Sequence, residues 1–182
     1  DPGPRSLLTT ASLKQNKNNL IWNLSRTTGY AGISAHTDYV FENAGAVLQP
    51  LTKFMFTRGL GFLELNPAAS GAIEGQALNT NRPYAKADIH INDVNHEGSP
   101  FKKLEFIAEQ KGYAIGIIKP QSATLRNATK WLATLEQKGI KLVQASAIAG
   151  RGTKEKPHKA QKKSGSSSDA HHAPSPAHND HH

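Results

Sequence analysis

The sequence lacks cysteine altogether, so it can form neither a disulfide nor a thiolate metal site. It also lacks a run of about 18 apolar residues, which argues against a membrane-spanning helix. The phosphate-binding motif G-x-x-x-x-G-K-[ST], a strand-linked G-x-G-x-x-G and the nucleophile motif G-x-S-x-G are all missing. These absences weigh against nucleotide-binding proteins of the common types and against serine hydrolases of the α/β class.

Acidic residues are the minority among the charged groups. The 182 residues contain 22 Lys and Arg against 14 Asp and Glu, giving a formal net charge of +8. A basic balance raises the affinity for polyanions in general without identifying one. Because no recognised nucleic-acid-binding module accompanies the charge, nucleic acid is the least favoured partner.

The composition changes sharply near Gly150. Residues 151–182 contain no Leu, Ile, Val or Phe, so we expect them to be a disordered, basic tail. Six of the nine histidines lie there, at irregular spacing. That spacing is typical of a biased tract rather than of a defined metal site, and retention of metal or anionic polymers by the tail is a weaker hypothesis.

Residues 1–150 alternate between helical and strand-like patterns. Apolar spacing predicts helices that begin near Ser12, Ala44, Ser70, Ser99 and Ser122. On the last of these, four residues are predicted to face inward: Leu125, Ala128, Leu132 and Leu135. Short apolar runs predict strands at 30–34, 60–65, 87–91, 113–118 and 141–145. Regular alternation of this kind indicates an α/β domain with a mostly parallel sheet, either open or closed into a barrel.

Three predicted joints share one pattern, in which a cation and a glycine precede an apolar strand. They are Arg58-Gly59, Lys111-Gly112 and Lys138-Gly139. A cation suits the negative end of a helix, and glycine suits the left-handed residue that ends it. Because an α/β domain normally opens on a buried strand, we expect one or more strands ahead of Asp1 to be missing.

Polar residues at the ends of predicted strands are the candidate site, since functional groups gather at the C-terminal edge of parallel sheets. They are His36, Asp38, Glu64, Asn66, Asp88, His90, Asp93, His96 and Lys119. His36 with Asp38 suggests either two metal ligands or a base with its partner, against the alternative of a solvated loop. For His90, inside a strand, a satisfied and partly buried histidine is the favoured interpretation.

Four segments resemble the divergent polysaccharide deacetylase family. They are residues 29–36 (GYAGISAH), 58–64 (RGLGFLE), 114–125 (AIGIIKPQSATL) and 138–146 (KGIKLVQAS). The resemblance covers nearly all of residues 1–150 and none of the tail. It implies an irregular (β/α) barrel of the polysaccharide deacetylase type, truncated at its N-terminus, in the periplasm or cell envelope of a bacterium.

The resemblance also implies an activity. Relatives remove acetyl groups from amino sugars with a bound divalent metal, which polarises the amide carbonyl and activates water while a carboxylate handles protons. His36 matches a histidine that the family keeps, and is therefore predicted to bind the metal. Asp38 and Glu64 are predicted as catalytic or proton-handling carboxylates, with Lys119 and Asp88 as substrate contacts.

The sequence departs from the family pattern at several of these positions. Glu64 stands where relatives often carry Asp, and Lys119 stands in place of the histidine of a Gly-His-Pro motif. The paired aspartates of the family's first strand would precede Asp1. We therefore expect a divalent metal, preferably zinc, only where those ligands complete the site, and expect this chain alone to be inactive. The alternative is a non-catalytic glycan- or protein-binding module of the cell envelope.

Overall fold

The computed structural model describes residues 3–91 and 99–150. Within these ranges the chain forms a mixed α/β structure in which every strand pairing is parallel. The elements in chain order are α1 (Leu13–Leu24), β1 (Gly32–Ala35), α2 (Tyr39–Asn43), α3 (Gly45–Thr57), β2 (Gly61–Glu64), α4 (Ala72–Asn79), β3 (Tyr84–Lys86), β4 (Ile89–Ile91), α5 (Pro100–Lys111), β5 (Gly116–Ile118), α6 (Ser122–Leu135), a 3-10 turn at Glu136–Lys138, and α7 (Ala145–Ala149). The predicted disordered tail lies outside the described residues.

Helix starts follow the local chemistry of the sequence. The Ser12 hydroxyl accepts a hydrogen bond from the Gln15 backbone N–H at 3.2 Å, so it caps α1 at the predicted start of this helix. Pro100 occupies the first turn of α5, where its missing N–H costs nothing. Pro50 lies inside α3, which nevertheless continues to Thr57. The predicted helices all exist, with ends within a few residues of those expected.

Two parallel sheets carry the strands of the described part of the chain. One sheet has the order β1-β2-β3, with Ile33 opposite Phe62 and Phe62 opposite Tyr84. The other pairs β4 with β5, and His90 lies opposite Ile117. The predicted strand at 87–91 corresponds to β4, which pairs with β5. β3 lies just ahead of it, pairs with β2 and was not predicted. A parallel α/β architecture is confirmed, whereas a closed barrel is not formed by these strands.

The predicted last strand at 141–145 is wrong. No strand forms there, and residues 145–149 make the short helix α7 instead. Leu142 and Val143 remain 76% and 49% exposed, so the apolar run that suggested a strand is not buried. The buried residues are Ile148 and Ala149, on the helix that packs against β2 and β3.

Opposite faces of the three-stranded sheet have different neighbours. Ile33, Phe62 and Tyr84 share one face and pack with buried residues of α1, α3 and α4. Successive side chains alternate between faces, so Ser34, Leu63 and Ala85 point to the other side. There they line a cavity of about 240 Å³ that α7 partly covers.

A second core cluster belongs to the two-stranded sheet. It contains Ile89, Ile91, Phe101, Leu104 and Ala128. Two inward predictions for α6 were wrong, because Leu125 and Leu132 are 43% and 36% exposed. On that helix Ala128 and Leu135 are buried, as predicted.

The left-handed glycines predicted at the three joints are confirmed, although the segment after Gly139 forms no strand. Gly59, Gly112 and Gly139 have φ values of +81°, +82° and +70°, in the left-handed region that glycine enters without steric cost. Gly112 directly follows α5, Gly139 directly follows the 3-10 turn, and Gly59 follows α3 after Arg58, so each glycine turns the chain toward its next segment. Among the described helices, none is long and apolar enough to cross a membrane.

Candidate functional site

Glu64 joins the ends of β1 and β2. Its side chain is 1% exposed, and its Oε1 accepts hydrogen bonds from the backbone N–H groups of Thr37 at 3.1 Å and Asn66 at 2.8 Å. Oε2 accepts from the Thr37 hydroxyl. A buried carboxylate is stable only when its oxygens are satisfied in this way. Both oxygens of Glu64 are therefore engaged in holding the two loops together.

Asn66 strengthens the same connection from the other side. Its Nδ2 donates to the Thr37 carbonyl at 2.7 Å, and its Oδ1 accepts from the Ala68 N–H at 3.0 Å. The Leu65 N–H also donates to the Ala35 carbonyl at 2.8 Å. Backbone groups on both sides of His36 are consequently fixed, and this loop holds the histidine at the end of β1.

His36 lies beside His90, although the two residues belong to different sheets. Their ring centroids are 6.0 Å apart and the ring planes meet at 74°. His36 is exposed and His90 is partly buried. The favoured interpretation of His90 as an ordinary strand histidine missed this juxtaposition. The only signal for it in the sequence is a polar residue between Ile89 and Ile91, both of which are buried.

The donor chemistry of this pair fits a divalent metal in part. Imidazole nitrogens are common ligands of zinc, and two imidazoles on one tetrahedral ion have ring centres roughly 5 Å apart. The 6.0 Å separation is close to that spacing. No cluster of three or more His, Asp or Glu residues suited to a metal is found within 3–91 and 99–150. Asp93 and His96 lie outside the described residues.

Asp38 caps the short helix α2. Its Oδ1 accepts a hydrogen bond from the Phe41 N–H at 2.7 Å, and the residue is exposed. Aspartate at such a position satisfies a backbone donor that the helix leaves unpaired. Asp38 also lies two residues after His36, so its capping role keeps the carboxylate at the same end of the sheet.

Asp88 and Lys119 lie at opposite ends of the two-stranded sheet. The Asp88 carboxylate pairs with Lys111 at 2.9 Å and accepts from the Ile115 N–H at 2.8 Å, just before β5 begins. Burial lowers the Lys111 pKa, but the hydrogen bond and charge of Asp88 outweigh it, and the pKa is raised overall. Lys119 is exposed and directly follows β5. The two predicted substrate contacts are therefore not brought together.

Glu42 is a second buried carboxylate near this loop system, and no sequence pattern singles it out. Both of its oxygens accept from the Ser70 N–H, at 3.0 and 2.9 Å. Burial raises the pKa of Tyr84, and the negative charges of Glu74, Glu64 and Glu42 raise it further. The phenol is thus held neutral, beneath loops organised by glutamate carboxylates.

Comparison with known proteins adds to this geometry. The solved structure of an uncharacterized protein from Agrobacterium tumefaciens C58 has a TM-score of 0.72 and 27% sequence identity, over 81% of this chain and 61% of that one. The chain thus spans about three fifths of that protein's length. No curated protein matches it at a significant level. Residues 1–149 match the family model for divergent polysaccharide deacetylases, and the chain belongs to this family.

Proposed function

We propose that this protein takes part in the metal-dependent removal of N-acetyl groups from glycans of the bacterial cell envelope. Family membership supports the reaction class. The observation that carries the proposal is the approach of His36 to His90 at the end of β1. In an α/β sheet this edge is where functional side chains gather.

His36 and His90 would hold the divalent ion, with zinc the first choice. When bound, the ion supplies a Lewis acid for the acetamide carbonyl and lowers the pKa of a water molecule. Catalytic zinc sites usually have three protein ligands. The further ligand would have to come from outside the described part of the chain.

The carboxylates divide into two roles in this proposal. Glu64 positions the loop that holds His36, because both of its oxygens already accept hydrogen bonds. Asp38 is exposed and close in sequence to His36, which makes it the better candidate for moving a proton between water and the sugar nitrogen. The predicted catalytic role of Glu64 is thereby revised to a positioning one.

The two predicted substrate contacts also separate. Lys119 follows β5, beside the strand that carries His90, and its exposed ammonium suits a polar group of the glycan. Asp88 is engaged with Lys111 and Ile115 at the other end of that sheet. We therefore assign Lys119 to substrate and Asp88 to the packing of β4 against β5.

The finer architecture and location belong to the same proposal. We infer that the two sheets are parts of an irregular (β/α) barrel, because β3 and β4 follow one another along a nearly continuous run and each pairs with a different parallel neighbour. We also infer a periplasmic or cell-envelope location, where acetylated glycans occur. The family membership supports both inferences.

The test is acetate release from N-acetylglucosamine oligomers and peptidoglycan fragments by the zinc-loaded full-length protein isolated from its native cells, rather than by this chain alone. Hydrolysis consumes one water and yields one acetate and one free amine for each amide bond. Acetate production that disappears in the His36→Ala variant is the expected result. Glycan binding without acetate release, in the presence of zinc, would contradict the proposal.

A non-catalytic glycan- or protein-binding module is the second candidate. It is favoured by the engagement of both Glu64 oxygens and by the presence of only two neighbouring imidazoles in the described residues. In that case His36→Ala would leave glycan affinity unchanged. Equal glycan affinity in both proteins, together with no acetate release, would identify this role.

A further inference from the structure

The two chain segments that contain α1 and α3 carry cations and no acids. Residues 3–37 contain four basic residues and no Asp or Glu, and residues 43–63 contain two basic residues and no Asp or Glu. All six cations are exposed. They are Arg5, Lys14, Lys17, Arg26, Lys53 and Arg58. These six residues are called the cationic face from here on. They account for much of the positive charge of residues 1–150.

Trp22 organises one half of the cationic face. The guanidinium carbon of Arg5 lies 5.2 Å from the centroid of its ring, and that of Arg26 lies 4.9 Å away. Trp22 is 40% exposed, so part of its ring is open to solvent or to a ligand. Cations over an aromatic ring are held by its quadrupole.

A row of asparagines on α1 holds the segment that contains Arg5. Asn23 Nδ2 donates to the Arg5 carbonyl at 3.0 Å, and Asn19 Nδ2 donates to the Ser6 carbonyl at 3.0 Å. Asn16 exchanges two hydrogen bonds with the Leu8 backbone, at 2.8 and 2.7 Å. Arg5 is therefore presented by a fixed backbone, which reduces the entropy that a ligand would have to remove.

Phe54 organises the other half and joins α1 to α3. The Lys17 ammonium is 4.8 Å from its ring centroid, and the Arg58 guanidinium carbon is 4.1 Å away. Both aromatic rings thus hold two cations each. Four cations held at two neighbouring helices raise the local positive potential, which attracts an anion.

We propose that the cationic face binds an acidic glycan, with Arg5 and Arg26, which both lie against Trp22, each available to a carboxylate of the sugar chain. The planar guanidinium group matches a carboxylate through two parallel hydrogen bonds. A depression of about 380 Å³ between residues 3–7 and Trp22 gives room for one sugar ring. Lys17 and Arg58 would receive the charge of a unit further along the chain.

Two other polyanions, single-stranded nucleic acid and an anionic membrane, fit the cationic face less well. Nucleic-acid binding to single strands relies on free aromatic faces that stack on bases, whereas Trp22 and Phe54 each already carry two cations. An anionic membrane would be met by apolar side chains projecting well past the cations. The large apolar side chains of this face, Leu8, Leu13, Ile21 and Trp22, are no more than 41% exposed. A glycan is favoured because the proposed function already gives the protein a polysaccharide partner.

The experiment is isothermal titration of the full chain with oligogalacturonate, using the methyl-esterified oligomer of the same length as the uncharged control. Arg5→Gln/Arg26→Gln should weaken binding of the acidic oligomer about tenfold. Lys102→Gln/Lys103→Gln removes the same charge from exposed positions on α5 and should change the affinity by about twofold or less. The basic tail is present in every variant compared, so its contribution to the affinity cancels in the comparison.

Several outcomes would overturn the proposal. They are no binding of the acidic oligomer, equal loss in the two double variants, or tighter binding to phosphatidylglycerol vesicles or to a single-stranded oligonucleotide. Circular dichroism and thermal melting of the two variants establish that both are folded. Addition of a chelator should leave glycan binding unchanged, which separates failure of this proposal from failure of the proposed metal chemistry.

Discussion

His36, directly after β1, and His90, within β4, bring their imidazole rings edge to face with centroids 6.0 Å apart. The two residues are 54 positions apart in sequence and are supplied by different sheets. The first ring is set by a loop that Glu64 and Asn66 hold from two sides. The second is set by a strand whose neighbouring residues are buried.

If this pair binds a metal, either single replacement should weaken binding. We expect His36→Ala and His90→Ala each to raise the dissociation constant for Zn²⁺ at least about tenfold. Titration calorimetry should use a background in which the six tail histidines are changed to glutamine, because they would bind metal independently. Those histidines are His158, His171, His172, His178, His181 and His182.

A matched control for that titration is Lys103→Ala, an exposed change on α5. Unchanged zinc affinity in both histidine variants would show that the rings are neighbours without a shared ligand. A loss in His36→Ala alone would leave His36 as a ligand and remove His90 from the site.

Replacing Glu64 by glutamine should destabilise the protein. The amide nitrogen of Gln cannot accept hydrogen bonds, so at least one of the donors from Thr37 or Asn66 would be left unsatisfied in a buried place. We expect the free energy of unfolding to fall by about 1–3 kcal/mol. Urea denaturation measures it, and Glu109→Gln, at an exposed position on α5, is the control. Equal stability of the two variants would contradict the assigned role.

The sequence predicts the five longer helices and four of its five strand regions well because their signals are local, but it misses α2, α7 and β3. Apolar spacing, the Ser12 cap and the three glycine joints each depend on a few adjacent residues. The failure at 141–145 has the same origin, since Leu142 and Val143 have a strand-like pattern but no neighbouring strand to bury them. Whether an apolar run is buried depends on distant parts of the chain.

The candidate site is predicted less completely for a related reason. The location of His36 at a strand end follows from the pattern, but its neighbour His90 follows only from how the two sheets are placed. Residue type is also ambiguous. Asp38, Glu64 and Asp88 are all acids near strand ends. In the structure Asp38 caps a helix, Glu64 joins two loops, and Asp88 pairs with a lysine. Sequence spacing does not separate these uses.

Two glycine substitutions should have opposite effects on stability. Gly112 ends α5 at φ +82°, and a Cβ added there would have open space around it, so an alanine would be strained by its backbone alone. Gly112→Ala should cost about 1–2 kcal/mol. Gly75 lies inside α4, also with open space around it, and Gly75→Ala should stabilise by about 0.5–1 kcal/mol.

Thermal and urea denaturation of the two alanine variants would check these signs. Because the substitution is chemically identical and both sites are uncrowded, the comparison isolates backbone conformation. Destabilisation by Gly75→Ala equal to that by Gly112→Ala would mean that the left-handed turn is not the cause.

The charge of Glu105 should contribute to stability only above acid pH. Its Oε1 accepts from Lys138 Nζ at 2.6 Å and from Trp131 Nε1 at 2.7 Å, linking α5 to the end of α6. The hydrogen bond from Lys138 is the main cause that lowers the Glu105 pKa below its ordinary value of 4.5, with that from Trp131 adding to it against the effect of burial. A carboxyl group whose pKa is lower in the folded protein binds fewer protons there than in the unfolded chain. Its stabilising contribution is therefore full above the unfolded pKa and is lost as the pH falls through the folded value.

Glu105→Gln tests this linkage, because glutamine can still accept the Trp131 hydrogen bond while losing the charge that attracts Lys138. The difference in unfolding free energy between wild type and variant should be largest near neutral pH and should shrink as the pH falls below about 4.5. Added salt should reduce it as well, since the Lys138 side chain is 45% exposed and ions screen such pairs. Urea denaturation across this pH range, with Glu109→Gln as the control, measures the effect. A difference in unfolding free energy that is independent of pH would mean that Glu105 does not act through its charge. It would then act by accepting the hydrogen bond from Trp131, whose ring packs on Phe101 with the centroids 4.8 Å apart.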